Sequence, residues 1–178
     1  SRIFNRTGLK IFDVEKLSTH GGSLRVYGCH TQDKRPIYDS VEEVLIEEQN
    51  HGLEKLSTYE SFQSRVERVK TGLLSFLTEQ KSAGKTVAAY GAAAKGNTLL
   101  NYAGIGRDLL PFVCDAAPSK QGKYMPGSHI PIFPPNILSE KKPDIVLILP
   151  WNIAEEVVTQ NAYVREWGGK FVTAIPQI

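Results

Sequence analysis

The sequence holds only two cysteines, Cys29 and Cys114, far apart and in no C-x-x-C pair. That excludes both a zinc site built on paired thiolates and a disulfide framework, so no metal is expected. Thiols used this sparingly fit a reduced, cytoplasmic setting. Charge of one sign is missing too: 21 Lys and Arg stand against 19 Asp and Glu, a formal net of +2, and they are spread evenly. A balance of that kind does not predict a nucleic-acid partner. No apolar run reaches the roughly 18 residues of a membrane span, and no signal peptide opens the chain. An initiator Met is absent as well, since the sequence begins Ser1-Arg2-Ile3, as a fragment or a processed start would. What is present is a composition of 41% hydrophobic and 22% charged residues over 178 positions. This predicts a packed core rather than disorder, in one α/β domain with an extension.

The extension comes first. Residues 9–14 (LKIFDV) and 23–29 (SLRVYGC) read as strands, and the Thr19-His20-Gly21-Gly22 turn between them makes a hairpin. A polar linker follows over 31–36. Ser40-Val41-Glu42-Glu43 predicts a capping box opening a helix that runs to Asn50. Ser57-Thr58-Tyr59-Glu60 predicts another, opening a long helix with an apolar stripe at Phe62, Val66, Val69, Leu73 and Phe76. Gly84 ends it. From there strands and helices alternate: strands at 87–90, 112–114, 145–149 and 170–175, helices starting near Asn97 and spanning 153–167. Alternation of this kind predicts a mostly parallel sheet with helices on both faces. The expected divisions are 1–36 (hairpin), 37–84 (helical segment) and 85–178 (α/β domain).

Four segments carry residues suited to chemistry. Tyr90-Gly91-Ala92-Ala93-Ala94-Lys95-Gly96-Asn97 follows a strand and opens a helix, and scans as G-x-A-x-x-G, a variant of the Rossmann dinucleotide fingerprint. Small residues let the backbone approach a ligand, and helix-start N–H groups hold an anion. Asp115, at the end of the next strand, stands where such folds grip a ribose hydroxyl. Without a ligand, the same glycines simply permit tight strand–helix packing. The segment from Lys120 to Ile132 is long for a connection, and Lys120, Gln121 and Tyr124 are candidate donors to phosphate or sugar oxygens, with Gly122, Pro126 and Gly127 shaping the loop. Pro150-Trp151-Asn152 follows the buried IVLIL strand. Trp151 either stacks on a base or packs, and Asn152 either binds or caps the next helix. In Thr19-His20-Gly21-Gly22-Ser23-Leu24-Arg25, His20 is approachable and Arg25 is suited to a phosphate, though a lone turn His is more often a surface residue.

Taken in order, these segments resemble the SAM-dependent sugar C-methyltransferase family, through T-H-G-G-S-L-R at 19–25, Y-G-A-A-A-K-G-N at 90–97, D-A-A-P-S-K-Q-G-K-Y-M-P-G-S-H-I-P-I at 115–132 and K-P-D-I-V-L-I-L-P-W-N at 142–152. The resemblance covers about residues 17 to 178. It implies the Rossmann-like C-terminal domain of a three-part enzyme, with a small zinc-binding domain and a SAM-binding methyltransferase domain upstream. The family reaction moves the SAM methyl group to a carbon beside a keto group, on a sugar carried by a nucleoside diphosphate, usually thymidine diphosphate. A base removes the acidic proton and the enolate attacks the methyl carbon.

The sequence lacks the family's zinc-ligand cysteines, its SAM loop and its upstream His/Glu/Tyr cluster. By the resemblance, then, this chain neither binds SAM nor methylates alone, and the full-length enzyme uses SAM. His20 is the one candidate catalytic residue. The candidate substrate-binding set is Arg25, Tyr90, Gly91, Lys95, Gly96, Asn97, Asp115, Lys120, Gln121, Gly122, Tyr124, Pro126, Gly127, Trp151 and Asn152. Those segments in the α/β domain are expected to converge on one cleft. Two other readings stand beside this one: an NAD(P)-binding Rossmann module, and a non-enzymatic interaction domain using the Phe62–Phe76 stripe.

Overall fold

The computed structural model describes residues 1–19, 22–176 and 178. It divides into two compact units, Ser1–Gln63 and Ser64–Ile178.

In the first unit a short helix α1 (Arg2–Arg6) precedes an antiparallel hairpin of β1 (Leu9–Leu17) and β2 (Ser23–His30). Its register shifts between Ile11 and Asp13. Helix α2 (Asp39–Asn50) packs on β1. The expected capping box at Ser40 does not form. Tyr38 is the N-cap, and no side chain caps the helix. Ser40 has a tertiary use instead: its hydroxyl donates to Asp13 Oδ1 (2.6 Å) and accepts from the Val14 N–H (3.3 Å). The second box also fails, because Ser57 lies inside a one-turn helix α3 (Leu56–Glu60) with Lys55 at its N-cap. Thr58 donates back to the Gly52 carbonyl (2.7 Å), and Tyr59 to the Leu53 carbonyl (2.5 Å). Local side-chain bonds of this sort compete with helix propagation. The long helix α4 starts only at Phe62 and runs to Ser82.

The second unit is the α/β domain. Strands β3 (Val87–Tyr90), β4 (Val113–Cys114), β5 (Ile132–Phe133), β6 (Ile145–Ile148) and β7 (Lys170–Thr173) form one sheet in the order β5-β4-β3-β6-β7. Every pairing is parallel. The alternation of side chains along the strands builds two cores. Val87, Ala89, Ile145 and Leu147 face Leu73 and Leu77 of α4 and Leu100 and Ala103 of helix α5 (Ala94–Ala103). Ala88, Tyr90, Val146 and Ile148 face Leu138 of α6 (Asn136–Lys141), Val157 of α7 (Ala154–Gln160), and Val164. The result is a Rossmann-like three-layer αβα domain with a parallel sheet, joined in the chain to a hairpin and helices.

Several elements differ from expectation. The stripe on α4 does reach the core, but at Leu73 and Leu77; Phe62 is exposed. Helix α5 starts at Ala94 rather than near Asn97, because Ala93 takes an extended N-cap conformation and its carbonyl accepts the Asn97 N–H (2.9 Å). The Lys120–Ile132 segment ends in a strand, β5, which a loop reading misses. The run 153–167 is not one helix: a 3-10 turn (Trp151–Ile153), α7 and a second 3-10 segment (Ala162–Trp167) replace it. The break falls at Asn161, whose buried side chain donates to the Val157 carbonyl (2.9 Å). Among the described residues no helix is long and apolar enough to cross a membrane.

Candidate functional site

The carboxyl ends of β3, β4 and β5 set the site. After Tyr90 the chain turns through Gly91 at φ +92°, a conformation that costs a side-chain-bearing residue dearly. A Cβ there would also lie 2.5 Å from Pro150 Cδ. Gly96, one helical turn on, faces Leu149 so closely that a Cβ would sit 2.5 Å from the Leu149 Cβ. These contacts bring α5 down on the end of β6. Tyr90 itself points away, buried at 6% exposure in the core beneath α6 and α7.

The start of α5 then borders a cavity of about 410 Å³. Ala92, Ala93, Ala94 and Asn97 line one side, and Lys120, Lys123, Tyr124 and Pro126 the other. The N–H groups of the first helical turn have no intrahelical partner, and the helix dipole makes this end positive. Lys123 adds a cation, and Lys120 a second that is paired with Asp115. The Asn97 Oδ1 is buried without a hydrogen-bond partner among the described residues.

Asp115 ends β4 and is 7% exposed. Its Oδ2 accepts from the Ala92 N–H (2.6 Å) and from Lys120 Nζ (2.9 Å), and its Oδ1 accepts from the Ala117 N–H (2.8 Å). Gln121 donates from Nε2 to the Asp115 carbonyl (3.0 Å). Gly122 donates its N–H to the Ile132 carbonyl (2.9 Å), and Tyr124 bridges to Pro131, which folds the segment back toward β5. Asn101 fastens the far end: its Nδ2 donates to the carbonyls of Asn97 and Pro126 (both 2.9 Å). Gly127 sits at φ +83°, and a Cβ there would displace the Asn101 amide from its bonds.

The expected convergence holds for the turn after β3, Asp115 and the Lys120–Gly127 segment. Trp151 and Asn152 do not line the cavity. The Trp151 ring centroid lies 5.9 Å from Lys95 Nζ, and Lys95 does not line the cavity either. Lys123 and Asn101 were not selected from sequence. Asn101 carries a legible signal, standing four residues after Asn97 and so on the same helix face. Arg25, on β2 of the first unit, pairs with Glu15 (2.9 Å), which also accepts from Tyr27 (2.9 Å). His20 lies outside the described residues.

A larger groove, about 580 Å³, lies within the first unit between the hairpin and α2. Its charged lining includes Lys16, which is already paired with Glu47. It lacks the helix start and the converging donors of the sheet-edge cavity, so the smaller cavity is the stronger candidate. Among the described residues no group of three His, Cys, Asp or Glu side chains is placed to hold a metal ion.

Comparison with known proteins agrees with this architecture. C-methyltransferase NovU of Streptomyces niveus is 37% identical over 175 residues, which cover 98% of this chain and 42% of that protein. The chain therefore spans well under half the length of this relative. Residues 18–176 match the C-methyltransferase C-terminal domain. A match across most of the sequence, together with the parallel sheet and the ordered motifs, establishes that the chain belongs to the C-methyltransferase C-terminal domain family.

Proposed function

We propose that this chain is the C-terminal part of a SAM-dependent C-methyltransferase acting on a nucleotide-linked keto-sugar, and that it binds the sugar nucleotide. The observation that carries the reading is the cavity at the carboxyl edge of the sheet. There a helix start, Lys120 and Lys123 converge on a volume of about 410 Å³. A diphosphate is the ligand group suited to unpaired N–H donors beside two ammonium groups. Tyr124, more than half exposed at the rim, offers a ring to a base or sugar face.

The methyl donor does not suit the same cavity. Its sulfonium is a cation, and the cavity walls are positive. The carboxylate that would grip its ribose, Asp115, is already held by two backbone N–H groups and Lys120. The family resemblance assigns the donor and the methylation step to a methyltransferase part of the full-length protein, with a zinc-binding part beside it. This chain's role is to bind and orient the phosphate-bearing end of the substrate, so that the keto-sugar is presented to that part.

Titration of the chain with thymidine diphosphate by calorimetry tests this. Binding is expected, and Lys120→Ala should weaken it roughly tenfold, as loss of a charge-assisted bond does. SAM and NAD, titrated in parallel, should give no heat of binding. In the full-length enzyme the same substitution should raise the KM for the sugar nucleotide and leave SAM affinity unchanged. Loss of SAM affinity instead would assign the cavity to the other ligand, and NAD binding would favour a nicotinamide module.

A further inference from the structure

We infer that Asp115 is a positioning residue: its carboxylate latches the turn after β3 to the Lys120 turn after β4, and so fixes both walls of the anion-binding cavity. The inference rests on the sugar-nucleotide reading above and gives Asp115 a different part from the ribose contact its position in the sequence implies.

The geometry points to it in three ways. First, the bonds of Asp115 leave its own strand in two directions. Ala92, on one wall, is held at 2.6 Å, while Ala117 (2.8 Å) and Lys120 (2.9 Å) belong to the turn that forms the other. The Gln121 bond to the Asp115 carbonyl (3.0 Å) ties that same turn a second time. Second, the carboxylate is nearly buried while its lysine partner is not, with side-chain exposures of 9% and 41%. A buried carboxylate persists when charge and hydrogen bonds compensate it. The exposed end of the pair is Lys120, which is free to lean toward a phosphate while Asp115 keeps its two backbone donors. Third, a bare carboxylate beside a diphosphate would repel it. The Lys120 ion pair removes that repulsion, so the two side chains act as one unit: Asp115 holds the frame and Lys120 offsets its charge.

Asparagine at position 115 cannot replace this. Its amide nitrogen would face a backbone N–H, donor against donor, so at least one bond is lost. The test combines amide hydrogen exchange with thymidine diphosphate titration on the chain and its Asp115→Asn, Lys120→Gln, Lys120→Arg and Asp115→Asn/Lys120→Gln variants. In Asp115→Asn without ligand, exchange at Ala92, at Ala117 or at both should accelerate about tenfold or more, while the central-strand amide of Val146 stays protected. Affinity for thymidine diphosphate should fall about tenfold in the same variant. Lys120→Gln should weaken binding as much or more, because it exposes an uncompensated carboxylate, and Lys120→Arg should restore it. The double variant should bind about as well as Lys120→Gln alone, since coupled residues are not additive.

Unchanged affinity in Asp115→Asn would overturn the positioning role, and so would independent losses that multiply in the double variant. Should Asp115→Asn fail to fold, the contrast between Lys120→Gln and Lys120→Arg decides, and equal losses in both would overturn the unit. Should the unaltered chain not bind thymidine diphosphate, the sugar-nucleotide reading falls. The latch then stands or falls on the Ala92 and Ala117 exchange rates, and unchanged rates at both would refute it.

Discussion

Substituting Gly96 by alanine sets two effects of known size against each other. In a helix interior, alanine is favoured over glycine by about 1 kcal/mol. At Gly96, however, the new Cβ would lie 2.5 Å from the Leu149 Cβ and 3.2 Å from its Cγ and Cδ1. Carbon atoms rest at about 3.5–4.0 Å, so the overlap is on the order of 1 Å. Leu149 cannot withdraw, because its Cβ is fixed to the strand backbone and the residue is 1% exposed. Overpacking of this kind costs about 1–3 kcal/mol. Repulsion offsets the gain, and the net effect should be a destabilisation of up to about 2 kcal/mol, with a melting temperature lower by up to about 8 °C. Gly72, within α4, is the matched control. A Cβ there would meet nothing nearer than Ile178 Cγ2 at 3.7 Å. Gly72→Ala should therefore gain the helix propensity alone and raise the melting temperature by a few degrees, at about 2–4 °C per kcal/mol. Scanning calorimetry of both variants is the assay. If Gly96→Ala is stabilised as much as Gly72→Ala, α5 does not press on β6 as described, and the small residues of the G-x-A-x-x-G segment need another explanation.

Further outcomes follow from the same geometry. Gly127→Ala combines a left-handed backbone with a collision against Asn101, so it should release the Lys120–Gly127 segment from α5. Faster proteolysis within that segment, with the rest of the chain intact, is the expected readout. Burial pushes the Cys114 thiol from its ordinary value near 9 up to about 12. The folded chain keeps this proton where the unfolded chain loses it, so the thiol's contribution is fully present below about pH 9 and declines toward about pH 12. Urea unfolding across that window should show a steeper loss for the unaltered chain than for Cys114→Ala. Cys114 should also resist alkylation until the chain unfolds. Leu77→Ala, at a fully buried position, should cost about 2–5 kcal/mol in the same unfolding assay.

Much of the second unit is legible in the residue order, because period and punctuation are local properties. Val87–Tyr90 and Ile145–Ile148 are buried on both faces, and continuous apolar runs announce such strands. Gly91 and Gly96 predict a tight turn and a close helix, and both are found pressed against the end of β6. The family is legible for the same reason: its motifs are short and lie in fixed order. The sequence by itself thus determined the fold class, the parallel sheet and the segments that meet at its carboxyl edge. Tertiary structure decided the rest. Ser40 looks like a cap, but Asp13, distant in sequence, captures its hydroxyl. The two-residue strand β5 exists only because it borrows its ladder from β4, so no local period marks it. Trp151 follows a strand end, as an edge residue should, yet it stays out of the cavity and its ring lies 5.9 Å from Lys95 Nζ. Asp115 stands at the position of a ribose ligand, and only three-dimensional proximity reveals that Ala92, Ala117 and Lys120 already occupy its oxygens. A side chain's type and spacing say what it is able to bind; which partner reaches it first depends on distances that only the folded chain sets.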